Sequence, residues 1–187
     1  MFSKLLARLA RELDRAGIAY MVIGGQAVQL YGEPRMTRDI DVTLGLDATG
    51  LDRVTALCRS VGLRVLVNDP ARFVRDTMVL PAVEDASGIK VDFVFSFSAY
   101  ERQALGRSRP VEINGQPVRY SSLEDLLIHK LVAGRARDIE DTRLILAKNP
   151  NWDRPYVERW LSELDRALSL DLKTRLRDLL RSLPPSA

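Results

Sequence analysis

The chain has 187 residues, of which 46% are hydrophobic and 28% charged, and a formal net charge of +3 at pH 7. This is the composition of an ordinary soluble globular chain, long enough for one domain or for one α/β domain with a small helical appendage. A single cysteine, Cys58, excludes an internal disulfide framework, and no apolar stretch approaches the roughly 18 residues of a membrane span. The basic residues are five lysines against twenty-three arginines. Arginine suits bidentate phosphate contacts, so nucleotide or nucleic-acid partners are permitted, but so small a net charge does not demand them.

In chain order, Ser3 to Ala16 reads as an amphipathic helix with Leu5, Leu6, Leu9 and Leu13 on one face and Gly17 ending it. Arg8, Arg11, Glu12, Asp14 and Arg15 interrupt any signal-peptide core, which makes the cytoplasm the simplest location. Tyr20-Met21-Val22-Ile23 is an apolar run suited to a buried strand; Gly24-Gly25 permits a sharp turn, and a helix from Gln26 to Tyr31 is stopped by Gly32 and Pro34. That helix start offers free N–H groups and a positive dipole end to phosphate. A strand carrying Asp39 and Asp41 follows. Leu51 to Val61 is then a helix with Cys58 on its core stripe, closed by Gly62.

Leu63 to Val67 reads as a strand, and Asp69-Pro70 opens a short helical turn. Met78 to Val83 and Ile89 to Ser96 read as antiparallel strands, the first placed at an edge or bulge by Pro81. Ala99 to Leu105 is a short helix. Val111-Glu112-Ile113 and Val118-Arg119-Tyr120 form a hairpin, because Asn114-Gly115 suits a type I′ turn. Ser121-Ser122 caps a helical run, Leu123 to Ala147, interrupted near Gly134. After Asn149-Pro150-Asn151, two helices run from Asp153 to Leu168 and from Leu170 to Leu183, before Pro184-Pro185.

The chemistry concentrates in carboxylates. On a strand, Asp39 and Asp41 point to one face, about 6.5–7 Å apart along the chain, and can converge on hard divalent cations. A third acid, Asp92, interrupts the apolar run Ile89 to Phe95. The plainer reading makes Asp39 a turn cap and pairs Asp41 with Arg35 or Arg38; the glycine turn upstream and the third acid favour a functional set.

Gly24-Gly25, then Asp39-x-Asp41, then a lone Asp92 on a later strand resembles the nucleotidyltransferase superfamily, the fold shared with the DNA polymerase beta palm. The run Gly32 to Asp41 is similar to the bacterial stand-alone members, including toxin nucleotidyltransferases of the AbiEii type. Many members carry Gly-Ser where this chain has Gly24-Gly25, so a hydroxyl that could touch the triphosphate is missing. The resemblance implies an α/β (α+β) fold: a mixed, largely antiparallel sheet flanked by helices over residues 1–120, with a helical C-terminal region, 121–187, packing on that core.

A second constellation follows in Lys130, Arg137 and Asp141, spaced i, i+7, i+11 on one helix face if the axis persists through Gly134, with Asp138 beside them. A solvated charged face is the ordinary reading of such a pattern. It also resembles the C-terminal motif of the toxin-type enzymes, whose lysine and arginine meet nucleotide phosphates. His129, the only histidine, lies off that face and reads as a surface or interface residue.

What the resemblance implies is metal-dependent transfer of a nucleoside monophosphate from an NTP to an acceptor hydroxyl. Asp39, Asp41 and Asp92 are the expected ligands of Mg²⁺ or Mn²⁺, and these three with Lys130 the expected catalytic residues. Gly24, Gly25, Arg38, Lys130, Arg137, Asp138 and Asp141 are the expected nucleotide-binding residues. Toxin-type relatives modify RNA ends, notably tRNA, and can have a cognate antitoxin; other relatives modify aminoglycoside or lincosamide antibiotics. A non-catalytic partner-binding or antitoxin module is the remaining alternative, and no membrane partner is expected. Arg175, Arg177 and Arg181 on the last helix would add cations for an RNA backbone.

Overall fold

A computed structural model gives the fold and describes residues 1–34, 36–96 and 98–183. The chain divides into two compact units, one of Met1–Gln26 with Met36–Ser121, the other of Ala27–Arg35 with Ser122–Ala187. The first division falls inside a helix, Gly24–Tyr31, so the segment after Gln26 groups with the C-terminal part of the sequence.

Among the described residues, the N-terminal unit is built on one seven-stranded sheet. Its strands are β1 (Tyr20–Ile23), β2 (Asp39–Leu44), β3 (Arg64–Val65), β4 (Val79–Glu84), β5 (Ile89–Phe95), β6 (Arg109–Ile113) and β7 (Gln116–Tyr120). They lie in the order β3-β4-β5-β2-β1-β7-β6. The β2–β5 and β1–β7 pairs are parallel and the other four antiparallel, so the sheet is mixed and largely antiparallel, as expected. The helices of this unit are α1 (Phe2–Arg15), α3 (Leu51–Val61), α4 (Pro70–Thr77) and α5 (Ala99–Gly106); α2 is the helix Gly24–Tyr31. Leu5, Leu9 and Leu13 of α1 are buried, and that helix packs on β7 and α3. Cys58 is 1% exposed and burial pushes its thiol up to about 12, which makes it a packing residue.

Two local features differ from the sequence reading. Pro81 does not put β4 at an edge: β4 is flanked by β5 and by the short β3. The Pro81 carbonyl accepts from the Leu66 N–H, so the missing donor of Pro81 falls on the β3 side. That side is where pairing ends after Val65, and the five-residue strand expected there is only two residues long. The hairpin β6–β7 turns as expected, with Asn114 at φ 50° and Gly115 at φ 73°, both left-handed.

The C-terminal unit is helical, with α6 (Leu123–Ala133), α7 (Ala136–Lys148), α8 (Arg154–Leu168) and α9 (Leu172–Ser182). Ser122 caps α6, accepting from the Asp125 N–H and donating its hydroxyl to Asp125 at 2.5 Å; Asp125 also accepts from the Tyr156 hydroxyl at 2.8 Å. Gly134 ends α6 in the left-handed conformation, φ 61°. The Arg175 guanidinium donates to the Leu131 carbonyl at that end, a cation set against the negative pole of the helix.

Candidate active site

The register of β2 on β5 determines which side chains share a surface. Asp39 pairs with Lys90, Asp41 with Asp92 and Thr43 with Val94, while Ile23 of β1 pairs with Asp41 and Pro81 of β4 with Asp92. Strand side chains alternate, so Asp39, Asp41, Lys90 and Asp92 share one face of the sheet. Ile40, Val42, Leu44, Val91, Phe93 and Phe95 take the other face and are all 0% exposed. The strands are apolar enough to be pinned by one face, which leaves the opposite face to carry charge.

Asp39 is exposed, whereas Asp41 and Asp92 are half-buried. The Asp92 carboxyl is raised above the ordinary carboxylate range, first by burial and then by the Asp39 anion, with Lys90 opposing both. Carboxylates gathered on one face of a sheet are a donor set suited to a hard divalent cation. As the side chains stand, no three acids, histidines or cysteines among the described residues are gathered closely enough to hold an ion. The residue types and their shared face fit one nonetheless.

Gly24 completes this surface for a steric reason. It sits at φ 64°, and a Cβ there would lie 2.7 Å from the carboxyl carbon of Asp41 and nearer still to its Oδ2. The sequence reading started α2 at Gln26; the helix starts at Gly24, because this one residue makes the turn out of β1. Gly25 is buried in the first turn of the helix. Arg38 is exposed and, among the described residues, makes no ion pair, so the plainer pairing of Asp41 with Arg38 is not formed. Arg35, the other candidate, lies outside the described residues.

The second constellation belongs to the C-terminal unit. The helix axis does not persist through Gly134, so Lys130 stands on α6, and Arg137, Asp138 and Asp141 on α7. Lys130 is 5% exposed and its Nζ donates to Asp138 Oδ1 at 2.7 Å and Asp141 Oδ2 at 2.8 Å. Arg135 adds a bond to Asp138 Oδ2 at 2.6 Å. Burial alone would raise the Asp138 carboxyl; the bonds from Arg135 and Lys130 bring it below its ordinary value. Arg137 is exposed. The plainer reading of a solvated face does not hold for Lys130, Asp138 and Asp141, which form a buried ion cluster with Arg137 exposed outside it.

The cations counted toward an RNA backbone on α9 are engaged within the unit: Arg175 on Leu131, Arg177 on the Thr174 hydroxyl, Arg181 beside Asp178 at 3.8 Å. Sequence reasoning also missed two cations. Lys90 was legible as Lys-x-Asp alternation on β5, and Arg135 as an i, i+3 partner of Asp138.

A family model described as "Nucleotidyl transferase of unknown function (DUF2204)" matches residues 2–174. The chain belongs to that family. Comparison with curated proteins finds no match. Among solved structures, this nucleotidyltransferase is similar to the antibiotic-resistance factor ANT(2'')-Ia in solution, with a TM-score of 0.61 and 19% identity over 89% of this chain and 92% of that one. It is similar to an antigenic nucleotidyltransferase-like protein from Paracoccidioides brasiliensis, with a TM-score of 0.56 and 20% identity over 94% and 91%. Lincomycin-bound LnuA, a lincosamide antibiotic adenylyltransferase, gives 0.53 and 16% over 76% and 94%. At these identities what is shared is the fold. Among the described residues, the nucleotidyltransferase has no helix long and apolar enough to cross a membrane.

Proposed function

We propose that the acid face of β2 and β5 transfers a nucleoside monophosphate from an NTP to a hydroxyl of RNA. The observation that carries the reading is the register: Asp41 directly beside Asp92, with Asp39 two residues along the same strand. Asp39, Asp41 and Asp92 would hold Mg²⁺ or Mn²⁺. Such an ion, when bound, neutralises triphosphate charge and orients the reacting oxygens. In the reaction the acceptor oxygen bonds to the α-phosphorus, the bond from that phosphorus to the bridging oxygen breaks, and pyrophosphate leaves with the electron pair. Asp92, half-buried on the same face, would receive the hydroxyl proton. Phosphate would meet the N–H groups at the start of α2, at Gly24 and Gly25, and Arg38, exposed just before β2, would add positive charge. A role in phosphate binding for Lys130, Arg137, Asp138 and Asp141 rests on the family resemblance. Nucleotide titration of Arg137→Ala tests it where the side chain is exposed.

The exposed cations Arg38 and Lys90 beside the acids support an RNA acceptor, since a backbone is guided by exposed positive charge. The N-terminal unit does carry a cavity of about 390 Å³, lined by Asp14, Tyr20, Leu105, Ser108 and Arg119 among others, but it includes none of the three acids. A second reading, transfer to an antibiotic hydroxyl, draws on the likeness to ANT(2'')-Ia and LnuA. Labelled NTPs incubated with total RNA in one tube, and with aminoglycosides or lincosamides in another, separate the two. Label on RNA that is lost in Asp39→Ala supports the first; label on the drugs alone supports the second. Label on neither returns the partner-binding module.

A further inference from the structure

The acid face carries one side chain whose charge the proposed chemistry leaves unused. The strand positions of this face, from β1 across to β4, can be read from the pairing in three rows. The outermost holds Asp39, Lys90 and Val83; the next, Ile23, Asp41, Asp92 and Pro81; the third, Met21, Thr43, Val94 and Val79. Lys90 is thus the single cation among these positions, in the outermost row, directly beside Asp39 and two residues before Asp92 on the same strand.

The lysine is exposed, and among the described residues it makes no ion pair, although a carboxylate is its register neighbour. An ammonium on a four-carbon stem can reach several ångströms beyond its own strand. Placed at the rim of three carboxylates, it would be held in the acid cluster if it served only to neutralise them. Once a divalent cation neutralises the acids, the positive charge of Lys90 is left for an anion arriving at the same surface.

We propose that Lys90 is a substrate-contacting residue that binds a phosphate group delivered to the acid face; this rests on the nucleotidyl-transfer reading of that face. The phosphate has two sources, the polyphosphate of the incoming nucleotide and the backbone of a nucleic-acid acceptor. Lys90 contributes charge and a mobile donor and takes no part in proton transfer. Arginine can replace it, whereas a neutral amide of similar reach cannot.

The experiment compares wild type, Lys90→Gln and Lys90→Arg in two titrations, one with a non-hydrolysable ATP analogue and Mg²⁺, one with a single-stranded oligoribonucleotide. Lys90→Gln is expected to weaken one of them about ten-fold or more, with Lys90→Arg retaining most of the binding. The titration that is affected names the source of the phosphate. A direct contact to a nucleic-acid phosphate displaces a counterion, so if the oligoribonucleotide titration is the one affected, Lys90→Gln should also flatten its salt dependence, and a defect that keeps the wild-type salt slope overturns the contact. Wild-type binding with an unchanged Lys90→Gln overturns it as well. Wild type that binds neither probe removes the nucleotidyl-transfer reading of this face, and this inference with it. Melting temperatures for the three proteins should coincide, since the side chain is exposed.

Discussion

Gly24 and Asp41 are packed so closely that a Cβ on Gly24 would stand 2.7 Å from the Asp41 carboxyl carbon. The end of β1 is therefore shaped around an acid of β2, and the glycine gives that carboxylate its room as well as turning the chain. Gly24→Ala has to push Asp41 aside and hold an alanine at a left-handed φ. A misplacement of about 1 Å can lower a transfer rate on the order of 100-fold, and the strained backbone costs about 1–2 kcal/mol. Turnover of labelled NTP beside a urea melt measures both. An active Gly24→Ala enzyme would show that Asp41 tolerates displacement.

Metal should stabilise the protein through the same acids. If Mg²⁺ or Mn²⁺ binds the folded acid face and not the unfolded chain, saturation to about 100 times Kd adds roughly 2.7 kcal/mol. Asp41→Asn should keep the fold and lose that gain, read as the difference in Tm with and without the ion. An equal gain in both proteins would place the metal elsewhere.

Lys130 holds two carboxylates inside the C-terminal unit, at 2.7 and 2.8 Å, and all three residues are buried. Lys130→Ala should destabilise by about 3–5 kcal/mol, because two buried carboxylates lose the ammonium they share, while Asp138 keeps its bond from Arg135. Adding Asp138→Asn and Asp141→Asn to Lys130→Met should recover part of the loss. Urea denaturation of the single and triple variants tests this; a mild effect of Lys130→Ala would mean that water reaches the cluster.

The same cluster sets a pH dependence. Asp138 is held below its ordinary carboxylate value in the folded protein, so it favours folding while it is ionised. Its contribution is complete above the ordinary carboxylate range and is lost as pH falls through that range toward the depressed value. The stability gap between wild type and Asp138→Asn should be widest near neutrality and close on acidification. Tm measured across that span for both proteins decides it; a gap that grows on acidification would reverse the sign.

Most of what local sequence controls was legible. An apolar run placed β1, Gly-Gly marked the turn into α2 though the helix starts two residues earlier than read, and the alternation in Asp39-Ile40-Asp41 announced one face for two acids. Ser122 and Asn114-Gly115 gave a cap and a turn because their chemistry acts within four residues. What escaped depends on partners distant in sequence. The truncation of β3 follows from a proline fifteen residues after Leu66, and the grouping of Ala27–Arg35 with the C-terminal unit has no local mark. The burial of Lys130 was hidden because its face was drawn on one continuous helix. Gly134 breaks that helix and lets Asp138 and Asp141 fold back onto the lysine from a second one.

The alternation along β2 and β5 couples heredity of the core to heredity of the chemistry. One inserted or deleted codon within either strand would turn every later side chain over, sending Asp41 or Asp92 into the space of Val42 or Phe93 and those apolar groups into water. Such a lesion keeps the fold only where a bulge takes up the changed length. Loss of activity with retention of the fold is open to substitution at the acids and at Gly24, and in-frame length changes should collect in the loops between strands.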